Sequence, residues 1–240
     1  MIPEAQQQQM AEAVARIRET MEAAARRAGR DPADVSLCAA CKTRTVEEVR
    51  YSADLAIDLF GENHVQELVE KTDAGAYHGK PGHFIGHLQT NKVNKVVGRA
   101  ALIQSVDSTR LLDKIDTAAE RLGLTQQILI EINIGAEESK SGVGPNDLWP
   151  LLEAAAAKAH LQVRGLMAIP PADADDDQTR RFFAQMRELL AAAAARGYEN
   201  AQMDILSMGM SHDYAMAIEE GATIVRVGTA IYGARDYSKT

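Results

Sequence analysis

The side chains with reactive chemistry sit where apolar runs end. Residues 35–42 read VSLCAACK, an apolar stretch closed by a lysine and followed by the polar Thr43, Arg44 and Thr45. A run of this length, bounded by Asp31-Pro32 and a polar turn, suits a buried strand. Lys42 then stands at the strand's carboxyl edge above an apolar floor. A primary amine held there can attack an aldehyde carbon and tether it as an imine. The competing reading is a lysine whose stem lies on apolar surface while its head reaches water.

Two further runs end in groups suited to an anion. Residues 203–206 lead into Ser207-Met208-Gly209-Met210-Ser211, and residues 223–227 into Gly228-Thr229. Glycine lets backbone N–H groups come close to an anion, and a helix start adds partial positive charge. The hydroxyls of Ser207, Ser211 and Thr229 can complete such a grip. Taken singly, Ser211-His212-Asp213 is also an ordinary helix cap, and Gly228 an ordinary turn. Arg226 shares a strand face with Gly228, because side chains two apart point the same way. If buried, it must be paired or bound to ligand. One role is donation to a pyridine nitrogen; arginine keeps its own proton, so that nitrogen would stay unprotonated. The other is an ion pair with a buried acid such as Glu131 or Asp204. Asn63 follows the short apolar run 56–60 within Gly61-Glu62-Asn63-His64. With Gln66 three residues on it reads as a capping box, and its amide is also placed to enter the space above the strand end.

Two tempting patterns carry less. Cys38 and Cys41 form a C-x-x-C pair, but positions three apart on a strand face opposite sides. A zinc site would also need a second ligand pair. Two buried small side chains are the expectation. His83 and His87 are four apart, which suits a metal on a helix, and Gly86 in the strand-like HFIG argues against a helix there. His83 is expected in the core or lining the mouth.

Elements must bring these groups together. Residues 5–28 form an amphipathic helix with Met10, Val14, Ile17 and Met21 on one face, stopped by Gly29. Strands then alternate with helices about eight times through short connections: 35–42, 56–60, 83–85, 100–104, 127–134, 163–169, 203–206 and 223–227. There is no linker and no repeat. Alternation implies a parallel sheet. Eight units in one domain spanning 1–240 point to an α/β fold, the (β/α)8 or TIM barrel, with a doubly wound open sheet as second choice. A barrel would converge Lys42, Asn63, the 207–211 loop and Gly228-Thr229 on one mouth. Loops after strands seven and eight are a common phosphate site in such barrels.

Composition narrows the rest. Nearly half of the 240 residues are hydrophobic, enough for a sizeable core, and the net charge of -8 opposes general nucleic-acid binding. No apolar run approaches membrane-spanning length. The start, MIPEAQQQQ, lacks the positive end and apolar centre of a secretory signal. The expectation is a cytoplasmic protein.

The segments ACKTRTVEEVR, FGENHVQE, HFIGHLQTNKV, SVDS, NIGAEESKSGV, GLMAIP, LSMGMSHDY and VRVGTAIYGAR occur in this order from 36 to 235. In this the chain resembles the pyridoxal phosphate homeostasis proteins, the alanine-racemase-like N-terminal-domain family that binds pyridoxal 5'-phosphate (PLP). The resemblance implies a fold-type III PLP barrel in which Lys42 carries the cofactor as an imine. It implies that Ser207, Gly228 and Thr229 hold the phosphate, that Arg226 faces the ring nitrogen, and that Asn63 lies near the ring. With Met208, Ser211 and His83 these make up the expected cofactor contacts. There are departures. Gly82 stands where the family often has tryptophan, Cys38-Ala39-Ala40-Cys41 replaces a valine-rich stretch, and His64 stands where an aromatic residue is common. Related alanine racemases use a second, β-rich domain that supplies a catalytic tyrosine, and nothing here encodes one. The expected function is therefore that of a monomeric PLP carrier or buffer, not an enzyme, with PLP-dependent apo-enzymes as candidate recipients and indirect effects on amino-acid and keto-acid balance. A PLP enzyme such as an amino-acid racemase is the alternative, and a PLP-free barrel acting on a sugar phosphate is a third reading. The loop with Lys140 is open between a second ligand contact and a solvated turn.

Overall fold

The apolar runs become strands because both of their faces are covered: one fills a barrel and the other carries helices. The computed structural model describes residues 2–137 and 140–233. Its strands are β1 (Ser36–Ala40), β2 (Leu59–Glu62), β3 (Gly82–Phe84), β4 (Leu102–Val106), β5 (Gln126–Ile132), β6 (Leu161–Ala168), β7 (Ala201–Ser207) and β8 (Ile224–Val227). They close into a barrel in chain order. Closure runs from Ser36 opposite Ile224 to Ala39 opposite Val227, all parallel. The expected barrel is thus the observed one. Glu138, Ser139, Ala234 and Arg235, which lie in segments used for the resemblance, fall outside the described residues.

The helices are α1 (Glu4–Arg27), α2 (Val46–Ala53), α3 (Val65–Asp73), α4 (Val93–Val96), α5 (Thr109–Leu122), α6 (Leu148–Ala156), α7 (Asp176–Ala194), α8 (Tyr214–Glu219) and α9 (Thr229–Tyr232). Helix α1 buries Met10, Val14, Ile17 and Met21 as its periodicity predicts. It lies against α8: Arg30, just past its end, donates from Nη1 to the carbonyls of Ile218 (2.7 Å) and Ala222 (2.9 Å). Helix α7 starts within the acidic stretch, where Asp175 and Gln178 form a capping box. No described helix is long and apolar enough to cross a membrane.

Inside the barrel, Cys38, Leu59, Leu102, Leu129, Met167 and Ile224 form an apolar plug separate from the layer between strands and helices. Cys41 belongs to that outer layer, so the two free cysteines face opposite sides, as their spacing predicts. Gly82 has a packing reason. A Cβ there would lie 2.8 Å from the Tyr77 ring. That ring stacks on Phe60 with centroids 5.1 Å apart, so Tyr77 occupies the space a larger residue at 82 would need.

Two local expectations are corrected. Strand β1 ends at Ala40, not at Lys42: the Cys41 N–H still bonds to Gly61 O at 2.9 Å, but Arg44 N then turns back to Cys41 O at 3.0 Å. Lys42 therefore starts the turn into α2. Asn63 does not cap α3; the cap position is His64, and no side chain closes it.

Candidate functional site

Alternation along β1 places Cys38 in the interior plug and Ala40 at the mouth, and Lys42 follows two residues later in the turn. Lys42 is half-buried. Among the described residues its Nζ has no hydrogen bond or ion pair, unlike the amines of Lys71, Lys80 and Lys140. Ala40, two residues before Lys42, lines a cup of about 240 Å³. Ala40, Ile85 and Ile169 give it apolar walls, Arg226 lies at its floor, and Asn63, Ser211, Gly228 and Thr229 form its polar side.

The polar side is built for an anion. The Ser211 hydroxyl lies 3.4 Å from Gly228 N, 3.3 Å from Ala230 N and 3.1 Å from Thr229 Oγ1, all three of them donors. Three donors from residues 228–230, gathered on the Ser211 oxygen of the neighbouring loop, define a corner that a phosphate oxygen can share. Gly228 also brings β8 against β1: a Cβ there would lie 3.1 Å from Ala40 O. Gly209, in the turn after β7, has φ 89° and packs so closely on α8 that a Cβ would lie 2.5 Å from that of Ala217.

Below the cup runs a chain of hydrogen bonds across the barrel. Arg226 Nη1 donates to Ser207 Oγ at 2.6 Å, Ser207 donates to Gln104 Oε1 at 2.6 Å, and Gln104 Nε2 meets His83 Nδ1 at 2.9 Å. Arg226 Nη2 donates to Ala168 O at 3.0 Å. Of the two acids considered as its partner, Asp204 is held by Arg164 at 2.6 Å. Glu131 makes no side-chain hydrogen bond among the described residues and acts on Arg226 only through its charge. Burial, and then the charge of Asp107, push the Glu131 carboxyl up to about 7, against the pull of Arg226. Glu131 lines an adjoining hollow of about 290 Å³ that shares Asn63, Ile85 and Ile169 with the cup. Lys140, also on that hollow, donates to Pro170 O at 3.0 Å and pairs with Glu137, which ties its loop down.

The structure thus brings Asn63, Ser211, Arg226, Gly228 and Thr229 to one cup, and Lys42 follows two residues after its Ala40 wall. Three other expected contacts lie elsewhere. Ser207 is the last residue of β7 and faces inward, so its hydroxyl serves Arg226 and Gln104 beneath the cup. Met208, one position on, points outward and is fully buried in the outer core. His83 is buried at the far end of the hydrogen-bond chain and lines neither hollow. Gln104 was missed; its signal was a polar residue closing the otherwise apolar run 100–104. Among the described residues no three potential metal ligands gather.

A parallel barrel with a lysine after its first strand and an anion corner after its last two defines a class. The chain belongs to the family described as alanine racemase, N-terminal domain, whose sequence model matches residues 12–236. Within that class it is 42% identical over 226 residues to the pyridoxal phosphate homeostasis protein of Aquifex aeolicus, covering 94% of this chain and 98% of the relative. A crystal structure from Bifidobacterium adolescentis superposes with a TM-score of 0.91 at 35% identity, covering 96% and 97% of the two chains. The structure of PipY from Synechococcus elongatus with PLP bound superposes with a TM-score of 0.80 at 32% identity, covering 93% of this chain and all of PipY.

Proposed function

We propose that this chain holds PLP in the cup beside Lys42 and serves as a carrier or buffer of the cofactor. The observation that carries the reading is the meeting of strand ends: Gly228, in the anion corner, packs on Ala40, two residues from Lys42. The relatives named for PLP homeostasis and the PLP-bound PipY support the same choice of ligand. The residues fit the group. The corner made by Ser211, Gly228, Ala230 and Thr229 suits a phosphate, the apolar walls suit a flat ring, and among the described residues the Nζ of Lys42 has no competing partner. When bound, PLP supplies an aldehyde carbon and an aromatic ring that can accept electrons.

The chain's own residues have separate tasks. Lys42 provides the amine that holds the aldehyde as an imine. Arg226 donates upward from the floor and keeps its proton, so it leaves a facing ring nitrogen unprotonated and the ring a poor electron sink. That electrostatics favours holding over turnover. We place the protein in the cytoplasm as a monomer that passes PLP to apo-enzymes. Transfer to an apo-aminotransferase and elution by gel filtration check those two points.

One observation favours the alternative of a PLP enzyme. Glu131, lifted to about 7, is a titratable group beside the cup. Turnover of an amino acid lost in both Lys42→Ala and Glu131→Gln would establish that reading. For the carrier, purified protein mixed with PLP should be coloured, and borohydride followed by peptide mapping should leave a pyridoxyl group on Lys42. A colourless protein, or unchanged PLP binding in Lys42→Ala, would overturn it.

A further inference from the structure

We propose that Glu67, Glu62 and Lys71 are positioning residues for Lys42, gripping from outside the barrel the two peptide groups that flank its Cα. The inference deepens the reading of Lys42 as the PLP-holding amine and rests on it.

The geometry is specific. Lys71 on α3 and Glu62 on β2 are buried, and their ion pair is 2.9 Å long. The same Lys71 Nζ donates to Cys41 O at 2.9 Å and to Glu67 Oε2 at 3.2 Å. Glu67 Oε2 in turn accepts from Thr43 N at 3.0 Å. Cys41 O belongs to the peptide group before Lys42, and Thr43 N to the one after it. Those two planes fix the direction of the Cα–Cβ bond between them. The aim of the lysine stem is thus set by a cluster that never touches the cup.

Two observations show that the cluster does more than stabilise. A buried ion pair is an inefficient stabiliser, because desolvation offsets the attraction and apolar residues of like volume often serve as well. Here burial lifts the Glu62 carboxyl to about 7 even with Lys71 beside it. Thr43 also sits at φ 65°, a conformation that a β-branched residue adopts only when held. The Glu67 carboxylate supplies that hold. Tyr77, which donates to Glu62 at 3.3 Å, closes the cluster from the other side.

The test compares Glu67→Ala with Glu67→Gln. Glu67 is 21% exposed, and both variants are expected to fold with a melting temperature close to that of the parent. In the PLP-free chain, exchange of the Thr43 amide hydrogen is expected to quicken about 10- to 100-fold in Glu67→Ala, the range for losing a hydrogen bond to a charged group. With PLP added, the rate of forming the borohydride-trapped adduct on Lys42 should fall by a similar factor. Glu67→Gln keeps an acceptor oxygen and should stay near the parent in both measurements. Equal loss in both variants, or in neither, overturns the inference. If the parent itself forms no adduct, the PLP reading fails, and Thr43 exchange still decides the grip.

Discussion

At His83 the direction of each hydrogen bond below the cup is fixed by chemistry. Arginine can only donate, so Ser207 turns its own proton to Gln104 Oε1, and the amide then donates to His83 Nδ1. That bond needs a lone pair on Nδ1 and hence a neutral imidazole. Burial pushes His83 down to about 4 from its ordinary 6.5. Because the folded value lies below the unfolded one, the unfolded chain takes up the proton first. Stability is full above about 6.5, declines as pH falls toward 4, and is flat below. The shift corresponds to about 3 kcal/mol. Urea unfolding of the parent and of His83→Gln should show a stability difference that shrinks across this window; a constant difference would refute the neutral relay. A second residue gives an independent check. The Ser105 hydroxyl is buried with no hydrogen-bond partner among the described residues. Ser105→Ala should be neutral or stabilise by up to about 1 kcal/mol in the same assay. Residue type and parity were enough to bring Arg226, Gly228 and Ser211 to one end of the barrel, where they line the same cup. The Ser207 hydroxyl and the Met208 side chain lie off the cup because β7 runs one residue further than the expected 203–206. The extra residue turns Ser207 inward and Met208 outward.

Elements were legible where a period repeats. Helix α1 spans Glu4–Arg27 against an expected 5–28, because the apolar spacing from Met10 to Met21, about three turns, leaves little freedom. Ends were harder. The CAAC run stays apolar to Cys41, and Cys41 keeps its bond to Gly61, so nothing in the residues marks the turn that releases Lys42 from β1. The contact of α1 with α8 could not be read at all, since 192 positions separate Arg30 from Ala222. Arg30 meets carbonyls at the close of α8 and in the turn after it, adding a charged donor to Ile218 O, which also accepts from Gly221 N. Arg30→Ala should lower stability by about 2 kcal/mol, and Arg30→Lys, with one compact donor group in place of a fork, should recover only part. Denaturant midpoints at constant slope would measure both. A loss within error for Arg30→Ala would mean that α1 is held by its apolar face alone.

At the scale of the whole molecule the barrel is not evenly sewn. Strands β5 and β6 pair along their lengths, from Gln126 opposite Leu161 to Ile132 opposite Ala168. Strands β7 and β8 are registered through Ser207 opposite Ile224, helped by bonds from Thr223 N to Leu206 O and from Arg226 N to Gly209 O. The anion corner lies above this thin seam and draws on the loops leaving both strands. A ligand that grips Ser211, Gly228 and Thr229 while joined to Lys42 would bridge β1, β7 and β8. Ligand that binds only the folded chain stabilises it by about 2.7 kcal/mol at a hundred times its dissociation constant. Because the ligand would bridge this seam, the amides of Thr223 and Arg226 should gain more protection from hydrogen exchange than those of β5 and β6. Inorganic phosphate should protect the same two amides more weakly, because it reaches the corner and not Lys42. In Lys42→Ala, PLP should act no better than phosphate does. Protection spread evenly around the barrel, or absent from β7 and β8, would show that the ligand is not held across these strand ends.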